Sequence, residues 1–131
     1  ICDVAKGISD HLTIFGNDWP TKDGTCIRDF VHVMDIAEGH ISALEFINQS
    51  SRSLNYINLG TGLGTSVLEL VKIFEEVNNK KIKFIYKSRR KGDRFECFAD
   101  VSLAAKTLNW NAKRNVYQMC KDGWISAINN Y

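Results

Sequence analysis

The chain has 131 residues, of which 44% are hydrophobic and 24% charged, and its formal net charge is +2. That length carries one domain of ordinary size, and the composition is that of a globular protein, which excludes a disordered tail. One proline excludes a proline-rich linker, the apolar runs fall far short of the roughly 20 residues of a membrane-spanning helix, and near-balanced charge argues against nucleic acid or an anionic membrane as partner. In chain order, Leu12 to Phe15 form a short apolar run ending in the turn-rich Gly16-Asn17-Asp18-Trp19-Pro20. Val33, Ile36, Ala37, His40, Ile41, Leu44 and Ile47 then follow helical spacing, which predicts a helix with one apolar face. Leu54 to Leu59 reads as a strand running into Gly60-Thr61-Gly62-Leu63-Gly64. A second helix begins near Ser66, where Ser66-Val67-Leu68-Glu69 fits a capping box, and its apolar stripe is Val67, Leu70, Val71, Phe74 and Val77.

Lys81 to Tyr86 alternates, with Ile82, Phe84 and Tyr86 on one face, and predicts another strand. A basic loop from Lys87 to Arg94 follows, then a short segment through Phe98. Asp100 or Ser102 opens a brief helix ending at Leu108, and a last helix carries Val116, Met119, Cys120, Gly123, Trp124, Ala127 and Ile128 on one side. Helices alternating with short strands define a mixed α and β fold. How the strands pair is not written in the pattern. Ile1 is not a methionine and no signal-like segment follows, which predicts a fragment or processed piece. Cys2, Cys26, Cys97 and Cys120 are scattered and read as reduced thiols of a cytosolic protein, and His11, His32 and His40 have no zinc-ligand spacing, so no metal site is expected.

Four stretches invite chemistry. Gly60-Thr61-Gly62-Leu63-Gly64 lies where a phosphate loop would, but its spacing is not that of the dinucleotide fingerprint, which favours a tight turn. Tyr117 and Lys121 match a Tyr-x-x-x-Lys pair, yet the two fit equally the polar edge of an amphipathic helix with no cofactor domain beside it. Arg89-Arg90-Lys91-Gly92-Asp93 pairs guanidinium groups suited to phosphate with a carboxylate suited to vicinal hydroxyls, which fits a nucleoside diphosphate; a solvated loop is the alternative. In Arg28-Asp29-Phe30-Val31-His32-Val33-Met34-Asp35, Arg28 is either an ion-pair partner of Asp29 or a second phosphate ligand, Asp35 suits a helix N-terminus, and His32 suits a packed core.

The block from Ile14 through Asp35, with Tyr56-Ile57-Asn58-Leu59-Gly60-Thr61-Gly62, Arg89 to Asp93, Ala99-Asp100 and Leu108-Asn109-Trp110, closely resembles the carboxy-terminal part of the UDP-glucose (UDP-galactose) 4-epimerases of the extended short-chain dehydrogenase/reductase family. The resemblance covers nearly the whole chain. It implies that residues 1–131 are one small α/β substrate-binding lobe without the Rossmann domain, inactive alone and holding no catalytic residue. The NAD cofactor, the catalytic Tyr-x-x-x-Lys pair and its neighbouring Ser or Thr belong to the family's amino-terminal half. The intact enzyme oxidises the sugar at C4, lets the keto intermediate rotate, and returns hydride to its other face. By the same resemblance the main chain of Thr13, Ile14 and Phe15 holds uracil, Arg28 and Arg90 hold the diphosphate, and Asp93 binds the ribose. Cys97 falls where enzymes restricted to UDP-glucose and UDP-galactose carry a tyrosine, which implies room for UDP-GlcNAc and UDP-GalNAc; a small buried thiol is the alternative. One departure is Arg94-Phe95-Glu96 after Gly92-Asp93, where many relatives have a proline. The resemblance further implies a cytoplasmic, homodimeric parent in galactose metabolism, and a fragment that self-associates through surface meant for the missing half. Related nucleotide-sugar dehydratases, decarboxylases and pentose epimerases, or a stand-alone nucleotide-binding module, are the competing readings.

Overall fold

The computed structural model describes residues 1–49 and 55–129. Its elements are α1 (Cys2–Ala5), β1 (Leu12–Phe15), β2 (Ile27–Arg28), α2 (Val33–Gln49), β3 (Thr65–Ser66), α3 (Val67–Asn78), β4 (Phe84–Lys87), β5 (Glu96–Cys97), α4 (Ser102–Leu108) and α5 (Val116–Asn129). The mixed α/β class is as expected. β1 and β4 pair in parallel, Leu12 opposite Phe84 and Phe15 opposite Lys87. A second small sheet has the order β3-β2-β5, with β2 antiparallel to β3 and parallel to β5. Two-residue strands leave no alternation in sequence, so only the ladder partners define them.

The principal core forms where α3 and α5 pack together. Leu70, Val71, Ile73, Phe74, Ile82 and Cys120 are buried there, with Leu12, Phe30, Val116, Met119 and Trp124 against them. Phe74 and Trp124 meet edge to face at 6.0 Å between ring centres, a geometry favoured by the ring quadrupoles. Burial, then the neighbouring Cys2, pushes the Cys120 thiol up to about 11, so it is a packing residue rather than a nucleophile. The capping box at α3 is complete: Glu69 N–H donates to Ser66 Oγ at 3.0 Å, and Ser66 N–H to the Glu69 carboxylate at 3.3 Å. Asn79, in the left-handed region at φ 48°, closes the helix.

Two expectations from periodicity fail. Tyr56 to Leu59 form no ladder; Leu54 lies outside the described residues. Ile57 and Leu59 instead pack as irregular chain on a second cluster of Ala104, Leu108 and Trp110. The other failure is the face that α2 buries. Its apolar stripe points outward, with Val33 72% and Leu44 63% exposed and Ile41 and Ile47 likewise open. The buried side is Asp35, Gly39, Ala43 and Phe46, spaced by four, four and three residues. Gly39 is what permits the approach, since a Cβ there would sit 2.8 Å from Leu59 Cδ1 and 3.2 Å from the Trp110 ring. A helix with apolar residues on both sides offers two solutions to periodicity, and tertiary fit selects between them.

Candidate functional site

The segment between β1 and β2 is built to deliver Arg28. Gly16 takes φ +85° as β1 ends, and a Cβ there would collide with Trp19 Nε1 at 2.3 Å. Trp19 Nε1–H donates to the Phe15 carbonyl at 3.3 Å, and Thr21 Oγ1–H to the Thr25 carbonyl at 2.7 Å. Asp23 accepts from Thr25 N–H at 2.9 Å, from the Thr25 hydroxyl and from the Ser66 hydroxyl. Partial burial raises the Asp23 pKa, but those donors outweigh it and hold the carboxyl below its ordinary range. The loop is thereby tied to the start of α3, and Arg28 emerges on a strand held from both sides.

Neighbouring residues on an extended strand point to opposite faces, which separates Arg28 from Asp29. Asp29 does not pair with Arg28. Its carboxylate accepts from Thr61 N–H at 2.9 Å, the Thr61 hydroxyl, Gly62 N–H at 3.0 Å and Ala99 N–H at 3.2 Å. The glycine turn is therefore a tight turn, and its anion is the protein's own carboxylate. Gly60 is required because a Cβ would lie 2.5 Å from Asp29 Oδ2. Burial raises the Asp29 pKa, and the Thr61 and main-chain donors more than reverse that.

On the other face a cleft of about 290 Å³ is lined by Thr13, Ile14, Phe15, Cys26, Arg28, Phe30, Val67, Arg90 and Asp93. Six residues singled out from sequence thus converge from β1, β2 and the basic loop. The Arg90 guanidinium lies 4.7 Å from the centre of the Phe15 ring, a cation–π contact. Asp93 Oδ2 is 3.0 Å from Arg90 Nε, and Asp93 Oδ1 is 3.7 Å from the Arg28 guanidinium. Gly92 at φ +89°, with Asp93 N–H donating to the Arg90 carbonyl at 3.2 Å, turns the loop back so that Asp93 reaches both arginines. Cys97, the seventh, is exposed and does not line the cleft, but it is the ladder partner of Arg28. Arg89 instead stacks 4.0 Å over the Trp19 ring and pairs with Asp18 at 2.8 Å, bracing the loop from outside.

Cys26, Phe30 and Val67 went unrecognised in the sequence. Phe30, two residues beyond Arg28, carried a signal in the two-residue period; Val67 reaches the cleft only because β3 pairs with β2. His32 is buried, its Nδ1 accepting Met34 N–H at 3.1 Å and its Nε2 lying 3.2 Å from Asp122. The accepted bond places the ring proton on Nε2, so this is a packed histidine bridging α2 and α5. Tyr117 and Lys121 lie on α5 and neither lines the cleft.

A family model described as GDP-mannose 4,6 dehydratase matches residues 1–123, and the chain belongs to that family. Curated proteins similar to this chain include UDP-glucose 4-epimerases. The chain is 48% identical over 134 residues to UDP-glucose 4-epimerase of Bacillus subtilis (strain 168), covering 100% of this chain and 39% of that protein. It is 49% identical over 127 residues to UDP-glucose 4-epimerase 2 of Arabidopsis thaliana, covering 97% and 36%. The crystal structure of UDP-glucose-4-epimerase from Stenotrophomonas maltophila, with NAD and formylated UDP-arabinopyranose bound, superimposes with a TM-score of 0.94 at 42% identity, over 99% of this chain and 38% of that one. The Bifidobacterium longum enzyme in complex with NAD+ and UDP gives 0.92 at 36% identity, over 98% and 38%. The chain thus spans about two fifths of the length of the relatives it matches.

Proposed function

We propose that this chain is the carboxy-terminal, UDP-sugar-binding part of an NAD-dependent UDP-hexose 4-epimerase that interconverts UDP-glucose and UDP-galactose. The observation that carries the reading is the convergence of Thr13 to Phe15, Arg28, Arg90 and Asp93 on one cleft. The edge of β1 offers main-chain groups to a pyrimidine, the two guanidinium groups suit a diphosphate, and the Asp93 carboxylate accepts from ribose hydroxyls. Cys97 lies outside the lining of the cleft, but as the ladder partner of Arg28 it is a small residue beside a diphosphate ligand, which supports a substrate range extended to UDP-GlcNAc and UDP-GalNAc. The glycine turn does not fit NAD, because Asp29 already occupies its amides; the cofactor and the catalytic Tyr-x-x-x-Lys pair belong to the amino-terminal part of the parent. Four free thiols support a cytoplasmic protein, and no helix among the described residues is long and apolar enough to cross a membrane. The parent is a homodimer serving galactose metabolism.

Calorimetric titration with UDP tests this reading. Saturable binding is expected, weakened about tenfold by Arg90→Ala, the low end for a charge-assisted contact because Arg90 is largely exposed. Absence of binding, or binding indifferent to that substitution, overturns the assignment of the cleft.

In the parent, the outward stripe of α2 packs against the amino-terminal part; in the isolated chain it packs against a second copy. Contiguous apolar surface of this kind drives association. Light scattering at high concentration should therefore report oligomers, and the double substitution Ile41→Glu, Leu44→Glu should return the chain to monomers. A strictly monomeric unsubstituted chain refutes the idea.

A further inference from the structure

The phosphate-facing side of the cleft is electrostatically occupied by the chain itself. Arg28 and Arg90 come from elements more than 60 residues apart, yet both are served by one carboxylate, Asp93, which is largely buried between them at 20% exposure. Asp18, the nearby acidic residue on the loop opposite, is engaged by Arg89 outside the cleft. An anion entering between the two guanidinium groups therefore meets Asp93 already in place. A bare polyphosphate must separate two ion pairs and then sit beside a negative charge. A nucleoside diphosphate carries neutral hydroxyl donors next to its phosphates, and the carboxylate released from the arginines accepts from them.

We propose that Asp93 is an internal counterion that selects nucleoside diphosphates against inorganic polyphosphate, on top of any contact it makes to ribose. The inference rests on the reading of Arg28 and Arg90 as diphosphate ligands. Like-charge juxtaposition in a partly desolvated site works against binding, whereas the same carboxylate satisfied by hydroxyl donors does not. Selectivity thus comes from a repulsive element aimed at the wrong ligand.

The test is calorimetric titration of the chain with inorganic pyrophosphate and, separately, UDP, using Asp93→Asn and Asp18→Asn. Both substitutions raise the net charge by one, so they control for long-range attraction, and melting curves check that each variant is folded. Asp93→Asn is expected to tighten pyrophosphate binding about tenfold, leave UDP no tighter, and so lower the UDP-to-pyrophosphate preference by tenfold or more. Asp18→Asn is expected to leave pyrophosphate within about twofold, as its charge pairs outside the cleft. No gain for pyrophosphate in Asp93→Asn, or an equal gain in Asp18→Asn, overturns the proposal. Failure of the nucleotide reading looks different. A chain that gains pyrophosphate on Asp93→Asn but never binds UDP keeps the counterion and refutes the nucleotide. UDP binding that depends on Arg90, with no pyrophosphate gain, does the reverse.

Discussion

Cys97→Tyr in the intact parent enzyme is expected to abolish turnover of UDP-GlcNAc and UDP-GalNAc while sparing UDP-glucose and UDP-galactose. Cys97 is exposed on β5 and is the ladder partner of Arg28, so the two share a face of the sheet. On the proposed reading a phenol at that position takes the space that an acetamido group requires, and the ladder to Arg28 fixes the main chain from which it projects. The expected drop in kcat/KM for the acetylated pair is about a hundredfold or more, against about threefold or less for the glucose pair, since exclusion acts only on the ligand that needs the volume. Equal loss of both activities would show that enlarging Cys97 merely disturbs β5. Activity toward both pairs unaltered by the tyrosine would remove Cys97 from the pocket altogether.

Asp35→Ala is expected to cost about 3 kcal/mol of stability, the low end for breaking a buried ion pair because Arg114 keeps some solvent exposure. Asp35 is fully buried on α2. Its carboxylate accepts from Lys113 N–H at 3.2 Å, Arg114 N–H at 2.9 Å and the Arg114 guanidinium, while its carbonyl accepts Trp110 Nε1–H at 3.1 Å. Glu38 adds contacts to Arg114 at 2.9 Å and Lys113 at 2.8 Å. Removing the carboxylate strands the Lys113 and Arg114 main-chain donors and leaves the Arg114 guanidinium with Glu38 alone, which loosens α2 from the segment that leads into α5. For a domain of this size that is a drop in Tm of about 10 °C. Urea unfolding measures it, and a loss under about 1 kcal/mol would contradict the account. The pH dependence has a definite sign. Burial raises the Asp35 pKa, but the Arg114 and Lys113 donors hold it below the ordinary aspartate range, as the corresponding donors do at Asp23 and Asp29. Their contribution is therefore complete above the unfolded value of about 4 and is lost as pH falls from there through the depressed folded values. The urea midpoint should decline below about pH 4, and less steeply in Asp35→Ala.

What was readable in the sequence was local. The α3 start is a contest among four adjacent residues, Ser66 to Glu69, and its capping box forms as written. The limits of α4 and the apolar stripes of α3 and α5 follow from near-neighbour spacing, and the core residues Leu70, Val71, Phe74 and Cys120 lie on those stripes. Arg28, Arg90 and Asp93 were legible as residue types whose chemistry suits a nucleoside diphosphate. Their meeting was not, because it depends on strand pairings that no periodicity encodes.

The sequence by itself determined the α/β class, the helices α2 to α5, the tight glycine turn and the identity of the ionic groups, since each rests on interactions within a few residues along the chain; α1 was not among the expected elements. Tertiary structure alone decided which face of α2 is buried, because Gly39 must admit Leu59 and Trp110. It decided that Asp29 fills the glycine turn, across 32 residues, instead of pairing with its neighbour Arg28. It also decided that one carboxylate, Asp93, holds Arg28 and Arg90 together. Leu59 and Trp110 for Gly39, Thr61 for Asp29 and Arg28 for Asp93 all lie far along the chain, and only the packing of the folded elements brings them within reach.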